Sequence, residues 1–364
     1  MLEALKTRTN LWALRALGRD RVDYLASNTM TVVNRRLNDF LWTYDLKAVV
    51  TAVKEEAPGV KTFTLMPNQH WRGLTPGQYV EVTVAADGQR LTRCYSPTPT
   101  RDGGLTITVK RSGKGEVSGW MHDWLTPGKV VGLSQAQGGF HYRGQPKVLF
   151  LCAGSGITPC HAMIDALLAD GAAVDMQLHA RFSRAEDVIF KETLRQWSLR
   201  MPVEIALSRE DGPGFVTPVS AADSERRYPD FRERDIYLCG PAGFMESMVS
   251  MLTDLGYNLG RLHTERFQLA ENMPGTTLDF QAAAPEIRFS HLNRTVQLTA
   301  EDEGLTLLEA ARRHGVPVES GCCKGMCGSC KLTLKEGRVS GNILGPAVYL
   351  CTSYPDSAKV VLDA

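Results

Sequence analysis

The 364-residue chain has no long apolar run. Its two longest uncharged stretches, Val148 to Ile164 and Val339 to Pro355, are broken by Gly and Pro and fall short of the roughly 18 apolar residues that a bilayer span needs. Neither sign of charge is in excess. The 41 Lys and Arg against 40 Asp and Glu leave a net +1, too little for the electrostatic footprint of a general nucleic-acid binder. The N-terminus lacks the charged, apolar, small order of a secretory signal, since Lys6 and Arg8 are soon followed by Arg15, Arg19 and Arg21. A cytoplasmic protein is expected. Internal repeats and a full G-x-G-x-x-G fingerprint are also missing. Apolar residues at 43% and charged residues at 22% are ordinary for soluble domains and exclude global disorder. Cysteine is not scarce: there are nine, and five fall in the last 43 residues, which suggests a local metal or cluster site, not a disulfide framework.

At about 150 residues per domain the length implies two to three domains. Residues 1–45 read as a helical extension, with Leu2, Leu5, Leu11, Trp12, Leu14 and Leu17 at loose helical spacing beside a basic face. It is expected either to pack on the next domain or to dock on a membrane or a membrane-bound partner. Residues 46–144 show short alternating runs separated by Gly, Pro and Asp, as in a small antiparallel barrel, with one helix from Val117 to Leu125. Residues 145–268 alternate strand and helix, the pattern of a parallel sheet with helices on its faces. Residues 269–285 have the composition of a linker. In 286–364 a hairpin is followed by a helix with a capping box at Thr306 and Glu309, and then by the cysteine loop.

The strongest motif is Cys322-x4-Cys327-x2-Cys330 with Cys351 after 20 further residues, the plant-type spacing of four thiolates around a [2Fe-2S] cluster. Small residues at Gly321, Gly325, Gly328 and Ser329 let backbone amides approach the sulfurs. Zinc sites usually present two short cysteine pairs, unlike this loop. Cys323 is read as a non-ligand by spacing alone. The segment resembles a plant-type ferredoxin domain with a β-grasp fold. It departs in having fewer residues before its fourth cysteine, and in charge, with nine Lys and Arg against nine Asp and Glu from Glu286 to Ala364.

Four other motifs lie upstream. Arg93-Cys94-Tyr95-Ser96 ends a barrel strand, and Gly115-Glu116-Val117-Ser118 opens the lone helix. Together an Arg, helix-start amides and a hydroxyl make an anion site suited to a flavin phosphate, with Lys110 at a neighbouring strand end. The pair, with Pro76-Gly77-Gln78-Tyr79, resembles the flavin domain of the ferredoxin-NADP reductase superfamily. Gly154-Ser155-Gly156-Ile157-Thr158-Pro159 is a Gly-rich turn between strand and helix that allows backbone approach to a pyrophosphate, with Thr158 able to bond it. Cys239-Gly240-Pro241 sits at the next strand-to-helix edge, where nucleotides bind in open α/β sheets. In similar reductases an acidic and an aromatic residue occur where His263-Thr264-Glu265-Arg266-Phe267 stands and return to the flavin ring. That resemblance makes Glu265 a proton-network residue and Phe267 the shield of the ring, with Ser96 and Cys239 beside the redox chemistry.

The resemblance implies a multidomain chain: antiparallel β-barrel flavin domain, α/β parallel-sheet nucleotide domain and β-grasp ferredoxin domain. It implies an NAD(P)H-dependent oxidoreductase in which a flavin stands between a two-electron donor and a one-electron cluster. FAD is favoured over FMN because the helix start suits a pyrophosphate. NADPH is favoured over NADH because Ser183 and Arg184, with Arg181 nearby, follow the second strand where a 2′-phosphate would sit. The domain order and the helical extension look most like bacterial reductases serving membrane di-iron enzymes such as stearoyl-CoA desaturases. The expected acceptor is therefore a membrane di-iron desaturase or hydroxylase acting on acyl chains, with the protein at the inner face of the membrane. Aromatic-ring or alkane oxygenases, a self-contained flavin or ferric reductase, and a redox sensor are the alternatives.

Overall fold

The computed structural model describes residues 2–86, 89–112, 116–209, 228–267, 278, 285–320, 325 and 328–363. The chain divides into two units, Met1–Gln137 with His141–Gln145 and Ile157–Asp211, and Gly138–Phe140 with Pro146–Gly156 and Gly212–Ala364. Among the described residues no helix is long and apolar enough to cross a membrane. The uncharged stretch from Val339 to Pro355 is instead a pair of strands.

The first unit opens with helices α1 (Leu2–Leu17), α2 (Arg19–Asn28) and α3 (Val32–Leu37). Strands β1 (Lys47–Ala57), β2 (Val60–Pro67), β3 (Val80–Ala86), β4 (Gln89–Tyr95), β5 (Thr98–Pro99), β6 (Leu105–Lys110) and β7 (Val130–Leu133) follow, with α4 (Glu116–Trp124) before β7. They form an antiparallel sheet in the order β4-β3-β7-β1-β2-β6-β5. Period-two burial explains the face each strand presents. In β6, Leu105, Ile107 and Val109 are buried while Thr106 and Thr108 are half-buried, and β2 buries Phe63 and Leu65 against them. The sheet curls until β4 comes near β6, yet these are not ladder partners, so closure is by packing. Val117 and Met121 of α4 fill the interior.

The extension packs on the outside of this sheet. Leu14, Val22, Phe40 and Leu41 cluster with Val49 of β1 and Met66 of β2. The apolar stripe expected in α1 is corrected in part: Leu14 is buried, whereas Leu5, Trp12 and Leu17 are exposed. The guanidinium of Arg19 donates to the carbonyls of Pro67 (3.0 Å), Gly103 (2.9 Å) and Asn68, tying the α1–α2 junction to two barrel loops.

From residue 147 strand and helix alternate: β8 (Lys147–Ala153), α5 (Ile157–Ala169), β9 (Asp175–Phe182), α6 (Lys191–Trp197), β10 (Val203–Leu207), β11 (Asp235–Cys239), α7 (Ala242–Asp254) and β12 (Leu262–Glu265). In the first unit β9 and β10 pair in parallel. In the second unit β11 lies between β8 and β12, also in parallel, with Cys239 opposite both Cys152 and Glu265.

The second unit continues with β13 (Glu286–Phe289), β14 (Arg294–Gln297), α8 (Leu307–Arg313), β15 (Lys331–Glu336), β16 (Val339–Leu344), β17 (Ala347–Pro355) and β18 (Lys359–Asp363). Its sheet has the order β14-β13-β18-β15-β17-β16, with β13 and β18 parallel and the other recorded pairs antiparallel, and α8 packs on β17. This is the mixed sheet and single helix of a β-grasp. The capping box is formed: Thr306 Oγ1 accepts from the Glu309 N–H at 3.2 Å, and Glu309 Oε2 accepts from the Thr306 N–H at 2.9 Å. Leu344 and Tyr349 join the apolar cluster built from β8, β11 and α7, so this sheet and the nucleotide strands of the unit share a core.

Candidate functional site

The first unit holds the barrel motifs. Tyr95 ends β4, packs against the cluster containing Val117, and carries a phenol held above its ordinary range by burial, so it acts as a neutral donor. Helix α4 packs against β3 and β4, the strand that ends in Tyr95. Several expected contacts take a narrower form. The Val117 side chain lies in the barrel core, which leaves only its backbone N–H for an anion. The Ser118 hydroxyl accepts from the Ser112 N–H at 3.1 Å and so helps shape the preceding loop. Arg93 is exposed and donates to the adjacent Thr92 carbonyl at 2.8 Å, and Lys110 is exposed at the end of β6. Ser96 is buried. Gly115 lies outside the described residues.

Sequence reading missed one buried group here. His161 of α5 stacks on Phe190, with ring centroids 4.0 Å apart, and its Nδ1 is 3.1 Å from Thr98 Oγ1 of β5. Burial lowers its pKa to about 4, so at neutral pH it is an uncharged link between α5 and the strand after Arg93–Ser96. Thr158 is buried in the first turn of the same helix. Ser183 is half-buried just past β9. The Arg184 guanidinium is exposed and holds Glu186 at 3.5 Å.

The second unit brings three expected segments to one sheet edge. Residues Gly154–Gly156 form a 3-10 turn directly after β8. Gly154 has φ +54° and open space where a Cβ would stand, whereas a Cβ on Gly156 would lie 2.3 Å from the Cys239 carbonyl oxygen. Only glycine therefore lets the first turn pass the second. A Cβ on Gly240 would in turn meet Phe244 at 2.8 Å and Ala153 at 3.1 Å. Pro241 caps α7. With Cys239 in register with Cys152 and Glu265, the ends of β8, β11 and β12 present Gly154–Gly156, Cys239–Pro241 and Glu265–Phe267 side by side. Cys239 and Glu265 are buried, and Phe267 is half-buried. The Gly154 backbone, with open space beside it directly after β8, leaves room for an anion such as a pyrophosphate to approach.

The cluster loop is described at Gly325, Gly328, Ser329 and Cys330. Cys322, Cys323 and Cys327 lie outside the described residues. Cys330 and Cys351 are buried. The Gly325 N–H donates to Cys351 Sγ at 3.1 Å, and its carbonyl accepts from Asn342 Nδ2 at 2.8 Å. Gly325 has φ +68°, and a Cβ there would be 2.5 Å from both Asn342 Nδ2 and Thr352 Oγ1. A buried sulfur receiving a backbone N–H suits a thiolate bound to iron.

This loop rests on the exit of β12. Lys331 Nζ donates to Thr264 Oγ1 at 3.1 Å, and the Tyr349 hydroxyl is 3.3 Å from the same oxygen. Burial lifts the Tyr349 phenol to about 12. Arg266 is buried and donates to Asn342 Oδ1 at 2.7 Å and to the Ile343 carbonyl at 3.2 Å. Neither Arg266 nor Asn342 was singled out from sequence. The only signal was a charged residue between Glu265 and Phe267.

An antiparallel barrel, parallel strands with glycine turns at one edge, and a β-grasp sheet with buried cysteines define a flavin and iron-sulfur oxidoreductase. The sequence matches the oxidoreductase FAD-binding domain over residues 47–142, the oxidoreductase NAD-binding domain over 150–250 and the 2Fe-2S iron-sulfur cluster binding domain over 290–356. It is 33% identical over 312 residues to the stachydrine N-demethylase reductase subunit Stc4 of Rhizobium meliloti, covering 78% of this chain and 84% of that protein. To a glycine betaine monooxygenase reductase subunit of Chromohalobacter salexigens it is 29% identical over 314 residues, covering 79% and 84%. The crystal structure of phthalate dioxygenase reductase, described as a modular structure for electron transfer from pyridine nucleotides to [2Fe-2S], superposes with a TM-score of 0.53 at 25% identity, covering 88% of this chain and 98% of that one. The chain belongs to the family of oxidoreductases that join FAD-binding, NAD-binding and [2Fe-2S] domains in this order.

Proposed function

We propose that this protein is the reductase component of an oxygenase, drawing electrons from NADPH and delivering them one at a time to a separate iron enzyme. The observation that carries this reading is the shared edge of β8, β11 and β12, with the cluster loop resting on the last of these strands through Thr264 and Arg266. When bound, FAD and the [2Fe-2S] cluster convert the two-electron supply of the nicotinamide into single electrons. The chain's own residues bind and orient. Gly154, Gly156, Gly240 and Pro241 shape the backbone that approaches the pyrophosphate, and Thr158, Ser183 and Arg184 contribute the polar contacts to the nucleotide. Arg93, Tyr95, Ser96, Lys110 and the start of α4, with Gly115, Val117 and Ser118, would hold the flavin. With a flavin bound, Glu265 would hold a proton for the redox chemistry, Phe267 would act as the shield of the ring and Cys239 would stand beside it. Cys322, Cys327, Cys330 and Cys351 ligate the cluster.

The named relatives favour an oxygenase as the acceptor, because their own names speak of a betaine monooxygenase, an N-demethylase and phthalate dioxygenase. They lend nothing to the acyl-chain desaturase expected from the extension. Trp12, Tyr24, Leu25, Val32, Val33 and Leu37 are nevertheless exposed on the extension, and this favours a membrane-bound acceptor as the second reading. Anaerobic titration with NADPH and NADH, followed by visible and EPR spectroscopy and then by reconstitution, tests both. Flavin and cluster should bleach with NADPH, and turnover should appear with a soluble oxygenase. Turnover only with a vesicle-bound desaturase would replace the first reading by the second. Absence of a cluster signal would overturn the reductase assignment.

A further inference from the structure

A hydrogen-bonded line runs from the end of β12 to a cysteine sulfur. Arg266 donates to Asn342 Oδ1 at 2.7 Å, Asn342 Nδ2 donates to the Gly325 carbonyl at 2.8 Å, and the Gly325 N–H donates to Cys351 Sγ at 3.1 Å. Every donor points toward the sulfur. The four residues come from the end of β12, the cluster loop, β16 and β17, and Arg266 immediately precedes Phe267.

The cost of this arrangement argues that it does more than fill space. Arg266, a cationic side chain, is only 8% exposed. Among the described residues its ion-pair partner is Glu246, 3.7 Å away on a side chain that is 60% exposed. Its Nε has no hydrogen-bond partner among the described residues. A buried cation so weakly neutralised is expensive unless its field is used. Gly325 is equally constrained. Its positive φ and the 2.5 Å approach that a Cβ would make to Asn342 and Thr352 exclude any side chain, so both of its peptide groups remain fixed on their partners. Asn342 is buried, and its backbone carbonyl is also held by the Ser353 hydroxyl at 3.2 Å.

We propose that Arg266 and Asn342 are positioning residues for electron transfer, locking the cluster loop onto the β12 exit and raising the reduction potential of the cluster through Gly325. This rests on the reductase reading above. In each passage one electron leaves the reduced flavin, which is oxidised, and enters the cluster, which is reduced; NADPH supplies two such electrons per molecule. The reduced cluster carries one more negative charge than the oxidised one. Donors aimed at its sulfur and a buried cation behind them favour the reduced form. Loss of the Asn342 donor frees Gly325, loosens the N–H···S bond and moves the potential down. It also breaks the side-chain bridge from Arg266 through Asn342 to Gly325.

The test uses the full-length holoprotein with Asn342→Leu, Asn342→Asp and Arg266→Lys. EPR-monitored redox titration should show the cluster midpoint displaced to more negative values in both Asn342 variants, with altered g-values. Stopped flow should show flavin-to-cluster transfer slowed at least tenfold, while flavin reduction by NADPH in the Asn342 variants stays within twofold of wild type. Asn342→Asp is isosteric and keeps an acceptor for Arg266, but adds a negative charge to the lost donor, so its midpoint should fall further than that of Asn342→Leu, which removes the donor alone. Arg266→Lys keeps the charge without the fork and should fall between wild type and the Asn342 variants. Cluster-loaded Asn342 variants with wild-type midpoint and transfer rate would overturn this proposal alone. A wild type with no cluster signal on reduction would overturn the reductase reading and this proposal with it.

Discussion

Alanine at position 156 should damage the fold, and alanine at position 154 should damage the nucleotide site. At Gly156 a Cβ would stand 2.3 Å from the Cys239 carbonyl oxygen, 2.5 Å from its carbon and 2.7 Å from Gly240 Cα. All three are backbone atoms at the end of β11, which is hydrogen-bonded to a strand on each side. Relief requires an opening of about 1 Å, so the cost lies at the upper end of the usual 1–3 kcal/mol for overpacking, about 3 kcal/mol. At about 2–4 °C per kcal/mol for a unit of this size, Gly156→Ala should melt about 6–12 °C below wild type. Gly154 is the internal control. A Cβ there meets nothing within 4 Å, and the only intrinsic cost is its φ of +54°, about 1–2 kcal/mol. Its methyl would enter the open space assigned to the pyrophosphate and should raise KM for NADPH at least tenfold, with a melting temperature about 2–8 °C lower. Differential scanning fluorimetry and steady-state kinetics on both variants decide the matter. A Gly156→Ala protein melting within 2 °C of wild type, or a Gly154→Ala protein with unchanged KM, would refute the reasoning.

What sequence revealed was chemistry that needs neighbours along the chain. The Cys322–Cys330 spacing, glycine turns at strand ends and the Thr306–Glu309 capping box are local, and each is visible within about ten residues. The nucleotide edge was equally legible, because each strand delivers its turn at the same end of a parallel array. Alternation failed where it was absent. In β17 the buried run from Val348 to Cys351 has no polar interruption, since both faces are covered, and so it read as a failed membrane span together with β16. The Arg266–Asn342 bond joins residues 76 apart, and nothing in either flanking sequence announces the other. The extension misled for a different reason. Helical periodicity gave the helices correctly, but the face that packs is set by Leu14, Val22, Phe40 and Leu41 meeting a strand surface, a choice that period alone does not make.

Four further outcomes are expected. Serine at Cys322, Cys327, Cys330 or Cys351 should abolish the [2Fe-2S] EPR signal while NADPH still reduces the flavin, and Cys323→Ser should keep the signal; the reverse at 322 and 323 would shift the ligand register. Phe267→Ala should change the rate of flavin reduction in stopped flow with flavin retained, and unchanged kinetics would remove its role. Arg184→Ala should cost about 1.5–3 kcal/mol, or ten- to hundredfold, in the kcat/KM ratio for NADPH over NADH; a wild type preferring NADH would end that assignment. The exposed Arg184–Glu186 pair offers little resistance to such a contact, because surface pairs are worth about 0–1 kcal/mol. The last expectation concerns Arg19. Its guanidinium serves the Pro67, Asn68 and Gly103 carbonyls, and methionine would keep the stem while removing every donor. Charge-assisted bonds of about 1.5–3 kcal/mol each, discounted because water can reach a half-buried site, give a loss of about 2–4 kcal/mol. Arg19→Met should therefore release flavin at a temperature about 5–15 °C lower, read by flavin fluorescence on heating. Deleting residues 1–45 should be worse, since it uncovers the clustered Val49 and Met66 as well. A truncated protein that keeps flavin and melts like the full chain would show that the helices are an appendage and that the barrel does not depend on them.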